Sequence, residues 1–151
     1  MRKLPSSLGF LLTLLLTVSA SAQNFWQQTN GPYGGTALSL AIAPSGSLFA
    51  GTEGGGVYRS TDNGESWIHV GLANSAVLAL AVNSSGTVFA GTRDGGLFRS
   101  TDGGGSWTQT GLASTSVWSL ALNANGNIFA GANADVFFAA SVFRSTDNGG
   151  T

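Results

Sequence analysis

Cysteine is absent from these 151 residues. No disulfide can staple the fold and no thiolate can serve as nucleophile or metal ligand, so stability must come from packing. Histidine occurs once, as His69, which leaves neither a zinc set nor a Cys/His nucleophile to assemble. Charged residues make up only 9% of the chain, and its one lysine is Lys3. Past residue 22 the cations are Arg59, Arg93, Arg99 and Arg144, set against seven carboxylates. A nucleic-acid partner needs a basic stripe to neutralise phosphates, and these residues cannot build one. Helical periodicity with caps is missing throughout, which argues against a helical bundle.

The first 22 residues read as a leader. Arg2 and Lys3 give a basic start, Phe10 to Val18 is an apolar run, and Ala20-Ser21-Ala22 is a small-residue cleavage site. At ~1.5 Å per residue such a run makes roughly 15 Å of helix, half of a bilayer core. Cleavage before Gln23 is therefore expected, with no membrane span afterwards and a secreted, periplasmic or cell-surface location.

The 23 glycines together with sparse charge could signal low complexity, but regularly spaced aromatic and Val/Leu residues point to short strands and tight turns. Leu38-Ser39-Leu40-Ala41-Ile42 matches Leu78 to Val82 and Trp118 to Leu122. Ser47-Leu48-Phe49-Ala50-Gly51 matches Thr87 to Gly91 and Asn127 to Gly131. Val57-Tyr58-Arg59-Ser60 matches Leu97 to Ser100 and Val142 to Ser145. The spacing is 40 residues and then 45, the third copy carrying a five-residue insertion. Each unit reads as four short antiparallel strands. The first alternates large and small apolar residues, tight turns follow at Ser45-Gly46, Ser85-Gly86 and Asn125-Gly126, and the fourth begins at Ser66-Trp67 or Ser106-Trp107. Four strands at a period near 40 are the signature of a propeller blade.

One motif recurs in every unit. Ser60-Thr61-Asp62-Asn63-Gly64-Glu65-Ser66-Trp67 returns as Ser100-Thr101-Asp102-Gly103-Gly104-Gly105-Ser106-Trp107, and starts again as Ser145-Thr146-Asp147-Asn148-Gly149-Gly150-Thr151. The Asp carboxylate can accept backbone N–H bonds and hold the hairpin, the Gly two positions later can take positive φ, and the Trp can fill the gap between blades. The pattern S-x-D-x-G-x-[ST]-W resembles the Asp-box of the BNR repeat family found in sialidase-like β-propellers. Ser60, Asp62, Gly64, Trp67, Ser100, Asp102, Gly104, Trp107, Ser145, Asp147 and Gly149 are thus expected to be structural. A catalytic or metal-binding reading of the aspartates is set aside, because residues repeated in every blade read as scaffold.

The expected fold is all-β: a leader over 1–22, then an incomplete propeller over 23–151. Within it, 23–36 is a lone outer strand, 37–71 the first blade, 77–111 the second and 117–151 a truncated third. The lone strand is expected because Phe25-Trp26-Gln27-Gln28-Thr29 resembles Ser106-Trp107-Thr108-Gln109-Thr110. With about three blades where closed rings need about four to eight, the chain is expected to be the N-terminal part of a longer protein.

Function is sought where the repeats disagree. The loops opposite the Asp-box hairpins hold Glu53, Arg93, Asp94 and, in the insertion, Asp135 with Phe137; Tyr33, Asn74 and Ser114 to Ser116 lie in the connections. Variable loops on a regular scaffold are where binding tends to sit, so Glu53, Arg93, Asp94 and Asp135 are the candidate ligand residues. The plainer reading makes them solvated turn residues. Asp94 and Asp135 could form a glycosidase carboxylate pair, which requires a fixed separation. The resemblance also implies what a sialidase would need: three arginines on a carboxylate, a Tyr/Glu pair and an Asp acid. Arg59, Arg99 and Arg144 share one repeated position, leaving Arg93 alone, so no catalytic residue is assigned. The expectation is a binding or scaffolding module for glycans or a surface protein, with no cofactor and no metal. A secreted glycoside hydrolase, sialidase-like or xyloglucanase-like, with its catalytic residues beyond this chain is the alternative.

Overall fold

The computed structural model describes residues 26–133 and 140–150. The leader over 1–22, Asp135 and Phe137 fall outside them. Eleven strands and no helix occur among the described residues, in three antiparallel sheets. The first sheet joins β1 (Ala37–Ile42), β2 (Leu48–Thr52), β3 (Val57–Ser60) and β4 (Ile68–Gly71) in chain order. The second repeats this with β5 (Val77–Val82), β6 (Val88–Thr92), β7 (Leu97–Ser100) and β8 (Thr108–Gln109). The third holds β9 (Ser116–Leu122), β10 (Ile128–Asn133) and β11 (Ala140–Ser145). This is an incomplete ring of propeller blades.

Turn chemistry sets each register. In the second sheet the Asn83 side-chain oxygen accepts the N–H groups of Ser85 at 3.1 Å and Thr87 at 2.9 Å, closing the β5–β6 turn. Asn123 does the same for Asn125 and Asn127. The pairing that follows brings Phe49 opposite Arg59 and Phe89 opposite Arg99, one repeat apart.

Two apolar seams hold the sheets together. Phe49, Val57, Val77, Leu80 and Val88 form the first, with Val70, Leu72 and Trp107 packed against it. Phe89, Leu97, Val117, Ile128 and Ala130 form the second. Alternate residues of a strand point to opposite faces, so a sheet flanked on both sides buries both sets. Every residue of β6 is accordingly buried. The free face of the first sheet instead leaves Leu40 69% and Ile42 68% exposed, and Val142 of the third sheet is 77% exposed.

Close approach demands glycine at a repeated place. A Cβ on Gly51 would lie 2.6 Å from Val77 Cγ1, and one on Gly91 2.6 Å from Val117 Cγ1. Arginine ties neighbouring sheets at the hairpin end. Arg59 Nη1 donates to Gly103 O at 3.5 Å, and Arg99 Nη1 to Asn148 O at 3.0 Å.

One expectation changes. The fourth strands start after the tryptophans, at Ile68 and Thr108. Trp67 closes its own hairpin instead, its indole N–H donating to Gly64 O at 3.1 Å. Across the described part of the segment expected as a lone outer strand, 26–36, no ladder forms. Among the described residues no sheet edge pairs with it. It rests against the first hairpin, where Asn30 Nδ2 donates to Glu65 O at 3.2 Å.

Candidate functional site

Antiparallel order sends the β3–β4 and β7–β8 hairpins to one end of the sheets and the β2–β3 and β6–β7 turns to the other. The hairpin end is built from short polar bonds. Ser60 Oγ donates to Asp62 Oδ1 at 2.7 Å and accepts the Gly64 N–H at 2.8 Å. Asp62 in turn accepts the Ser66 N–H at 2.9 Å and the Ser66 hydroxyl at 2.5 Å. Ser100, Asp102, Gly104 and Ser106 reproduce all four bonds. In the third copy Ser145 Oγ donates to Asp147 Oδ1 at 2.6 Å and accepts the Gly149 N–H. Hydrogen bonds donated to both oxygens of a carboxylate favour its charged form. The hydroxyl and then the N–H of Ser66 thus lower Asp62 to about 2, and Ser106 lowers Asp102 to about 2 in the same way. Gly64 and Gly104 take φ of 90° and 98°, where a side chain would be strained. The Asp62 and Asp102 carboxylates thus accept bonds from serines of their own turns.

The opposite end carries a cleft. Glu53, Asn74, Ser75, Ala76, Thr92, Arg93, Asp94 and Gly95 line an open cavity of about 310 Å³ between the first and second sheets. Three of the four candidate ligand residues, Glu53, Arg93 and Asp94, therefore meet on one surface, together with Asn74 from the connection. All three are exposed. The loops beneath them are rigidly tied. Thr52 Oγ1 donates to Gly56 O at 3.0 Å and accepts the Gly55 N–H at 3.1 Å; Thr92 does the same with Gly96 and Gly95. The Arg93 N–H donates to Ala76 O at 3.0 Å, and the Glu53 N–H to Thr36 O at 2.9 Å. Ser116 Oγ donates to Arg93 O and lies 3.5 Å from Asp94 Oδ1. Main chain is held while the Glu53 and Arg93 side-chain heads stay uncommitted among the described residues.

Thr92 was hidden from sequence reasoning because Thr52 repeats it and both read as strand ends. The signal that singles it out is the third copy, where Ala132 replaces the threonine. His69 is exposed and lies edge-on to Tyr58, ring centres 5.3 Å apart, away from the cleft. Among the described residues no cluster of His, Asp and Glu could hold a metal ion. Among them, too, no helix is long and apolar enough to cross a membrane.

A family model, the DUF6242 beta propeller domain, matches residues 12–117 of the chain. The chain belongs to that family. No curated protein matches it in sequence. Solved structures similar to this DUF6242 chain include the GH74 xyloglucanase from Xanthomonas campestris, 19% identical with a TM-score of 0.60, over 76% of this chain and 22% of that one. An ancestral GH74 enzyme is 25% identical, with a TM-score of 0.66 over 82% of this chain and 19% of that one. The extracellular domain of a B. thetaiotaomicron protein, named as a hybrid two-component system, is 27% identical at a TM-score of 0.58, over 69% and 15%. The DUF6242 chain thus spans about a fifth of the length of the GH74 enzymes it matches.

Proposed function

We propose that this chain is a binding module of an exported propeller protein, taking carbohydrate in the cleft of Glu53, Arg93 and Asp94. The observation that carries the reading is their meeting on one open surface with Asn74, on loops whose main chain is tied down. Sugar hydroxyls both donate and accept, and a carboxylate, a guanidinium and an amide offer the complementary groups. Fixed loops reduce the ordering cost of binding. The likeness to a GH74 enzyme at 25% identity supports a carbohydrate ligand over a peptide one. Export is the matching reading of the leader over 1–22, and the extracellular neighbour supports it. The serine–aspartate hairpins act as BNR-type Asp-boxes, a scaffold role supported by acceptors spent within the turn.

Isothermal titration of the full chain with xyloglucan oligosaccharides tests this reading. Binding is expected, weakened about tenfold or more by Arg93→Ala or Glu53→Gln, the loss typical of a hydrogen bond to a charged group. Wild-type protein that takes up none of them, or variants that bind equally, refutes the assignment.

One observation favours a second reading. Glu53 and Asp94 both line the cleft, and glycoside hydrolysis uses paired carboxylates flanking the bond. In that reading this chain forms one wall of a hydrolase whose remaining groups lie outside it. In that reading the whole hydrolase releases reducing sugar from xyloglucan and loses this activity in Asp94→Asn, which distinguishes it from simple binding. A sialidase form has less behind it, since Arg59 and Arg99 are engaged in ties between sheets.

A further inference from the structure

At the hairpin end, away from Glu53 and Arg93, another cavity of about 370 Å³ lies between the first and second sheets. The β1–β2 turn, the β5–β6 turn and the β7–β8 hairpin wall it, and Phe49 and Arg59 line it from the first sheet. Arg59 brings a cation that its surroundings leave underpaired. Its tie to Gly103 O is long, 3.5 Å, and uses one of about five N–H donors. The Nε–H is buried with no acceptor. No carboxylate among the described residues forms an ion pair with the guanidinium. A charge drawn partly out of water without a counter-ion is costly, and an anion in the cavity offsets that cost.

Glycine at 103 keeps the space beside Arg59 open. The first and third hairpins carry Asn63 and Asn148 at this place, both at φ 57°, and Gly103 sits at 70°. Asparagine tolerates this left-handed backbone, so the conformation itself does not call for glycine. A Cβ on Gly103 would stand 3.1 Å from Arg59 Nη1, and a full side chain would crowd the guanidinium.

Hydroxyls and one carboxylate decide which anion fits. Ser47 Oγ accepts from Ser45 Oγ at 3.1 Å and keeps its own proton to donate. Ser84, on the other turn, has a hydroxyl uncommitted among the described residues. Asp102 also lines the cavity, as a charged group whose carboxyl is lowered to about 2 by bonds from Ser106 and then Ser100. Those three bonds leave about one of its roughly four acceptor sites open. An anion with no proton meets only repulsion from that carboxylate. Sulfate has none at neutral pH, and a phosphate monoester loses its last one at about pH 6. Inorganic phosphate keeps at least one P–OH, a donor for Asp102, beside oxygens that accept from a guanidinium and from hydroxyls.

We propose that this cavity binds inorganic phosphate, with Arg59 and the turn serines Ser47 and Ser84 donating to its oxygens and Asp102 accepting from its P–OH. Arg59 belongs to the first sheet and Asp102 to the second, so the ion bridges the two. The site lies at the opposite end of the sheets from the carbohydrate cleft and does not depend on it.

Amide NMR titration of the full chain at neutral pH tests the proposal, with sodium phosphate, sodium sulfate and phenyl phosphate at matched ionic strength. Phosphate is expected to shift the Ser47, Ser84 and Gly103 signals with a dissociation constant on the order of 1 mM. Sulfate and phenyl phosphate are expected to bind about tenfold or more weakly, the loss of one hydrogen bond to a charged group. Gly103→Asn is expected to weaken phosphate by a similar factor while keeping the melting temperature, since the first and third hairpins already carry that residue. Asp102→Asn is expected to bring sulfate level with phosphate. Absence of shifts with phosphate, sulfate or phenyl phosphate bound as tightly by the wild type, or a folded Gly103→Asn that binds unchanged would each overturn the proposal.

Discussion

Truncating the two repeated tryptophans should not cost the same. Trp107 is half-buried, bonds to Val70 O across the first seam at 2.8 Å, and packs against that seam beside Val70 and Leu72. Trp67 has the same place in the repeat, but bonds only to Gly64 of its own hairpin and touches neither core seam. Removing a buried aromatic side chain costs about 3–5 kcal/mol, and partial exposure puts Trp107→Ala near ~3 kcal/mol. About 1 kcal/mol of that is the hydrogen bond, so Trp107→Phe should lose ~1 kcal/mol. Trp67→Ala, which removes a contact with a coil segment, should cost ~1 kcal/mol. Urea unfolding followed by circular dichroism at one low protein concentration measures all three, and avoids reporting on the fluorescence of the deleted residue. A Trp67→Ala as destabilised as Trp107→Ala would refute the argument, because contact across the seam would then carry no special weight.

Acid should loosen the hairpins in a defined window. Asp62 and Asp102 are lowered from 3.8 to about 2 by bonds present only in the folded chain, so their contribution is complete above pH 3.8 and is lost as pH falls through about 2. Melting temperature is expected to drop between those values for the wild type, and to drop less for the Asp62→Asn/Asp102→Asn double variant; parallel curves would remove the carboxylates from the account. Close approach between sheets predicts a second contrast. Gly91→Ala drives a methyl onto Val117 Cγ1 and, at 2.9 Å, its carbonyl oxygen, which should cost about 1–3 kcal/mol. Gly131→Ala meets only the Ser119 side chain, which can rotate aside, and should cost under about 1 kcal/mol in the same urea assay.

The strands could be read because the chain states its pattern three times: Leu78 to Val82 alternates, Asn83 and Asn123 mark the turns, and the aromatic spacing repeats. The meeting of Glu53, Arg93 and Asp94 was likewise foreseeable, since charges that break a repeat fall on equivalent turns of adjacent sheets. What escaped is whatever depends on a neighbour. Trp67 and Trp107 sit in identical motifs, yet one bonds within its hairpin and the other across a seam, because the preceding unit is coil in one case and β4 in the other. Thr92 was invisible for the opposite reason, its repetition at Thr52 making a loop anchor look like ordinary strand.

The glycines at 51 and 91 and the indole at 107 act at different distances across the sheets. Near the first and second strands, a missing methyl lets one sheet almost touch the next. Near the fourth strands, a bulky indole stands between them, bonded to Val70 O. Each layer is thereby a wedge, thin at one rim and thick at the other, and a stack of wedges cannot run straight. Side-chain volume at two positions sets the angular step, and the angular step sets how many layers complete a circle.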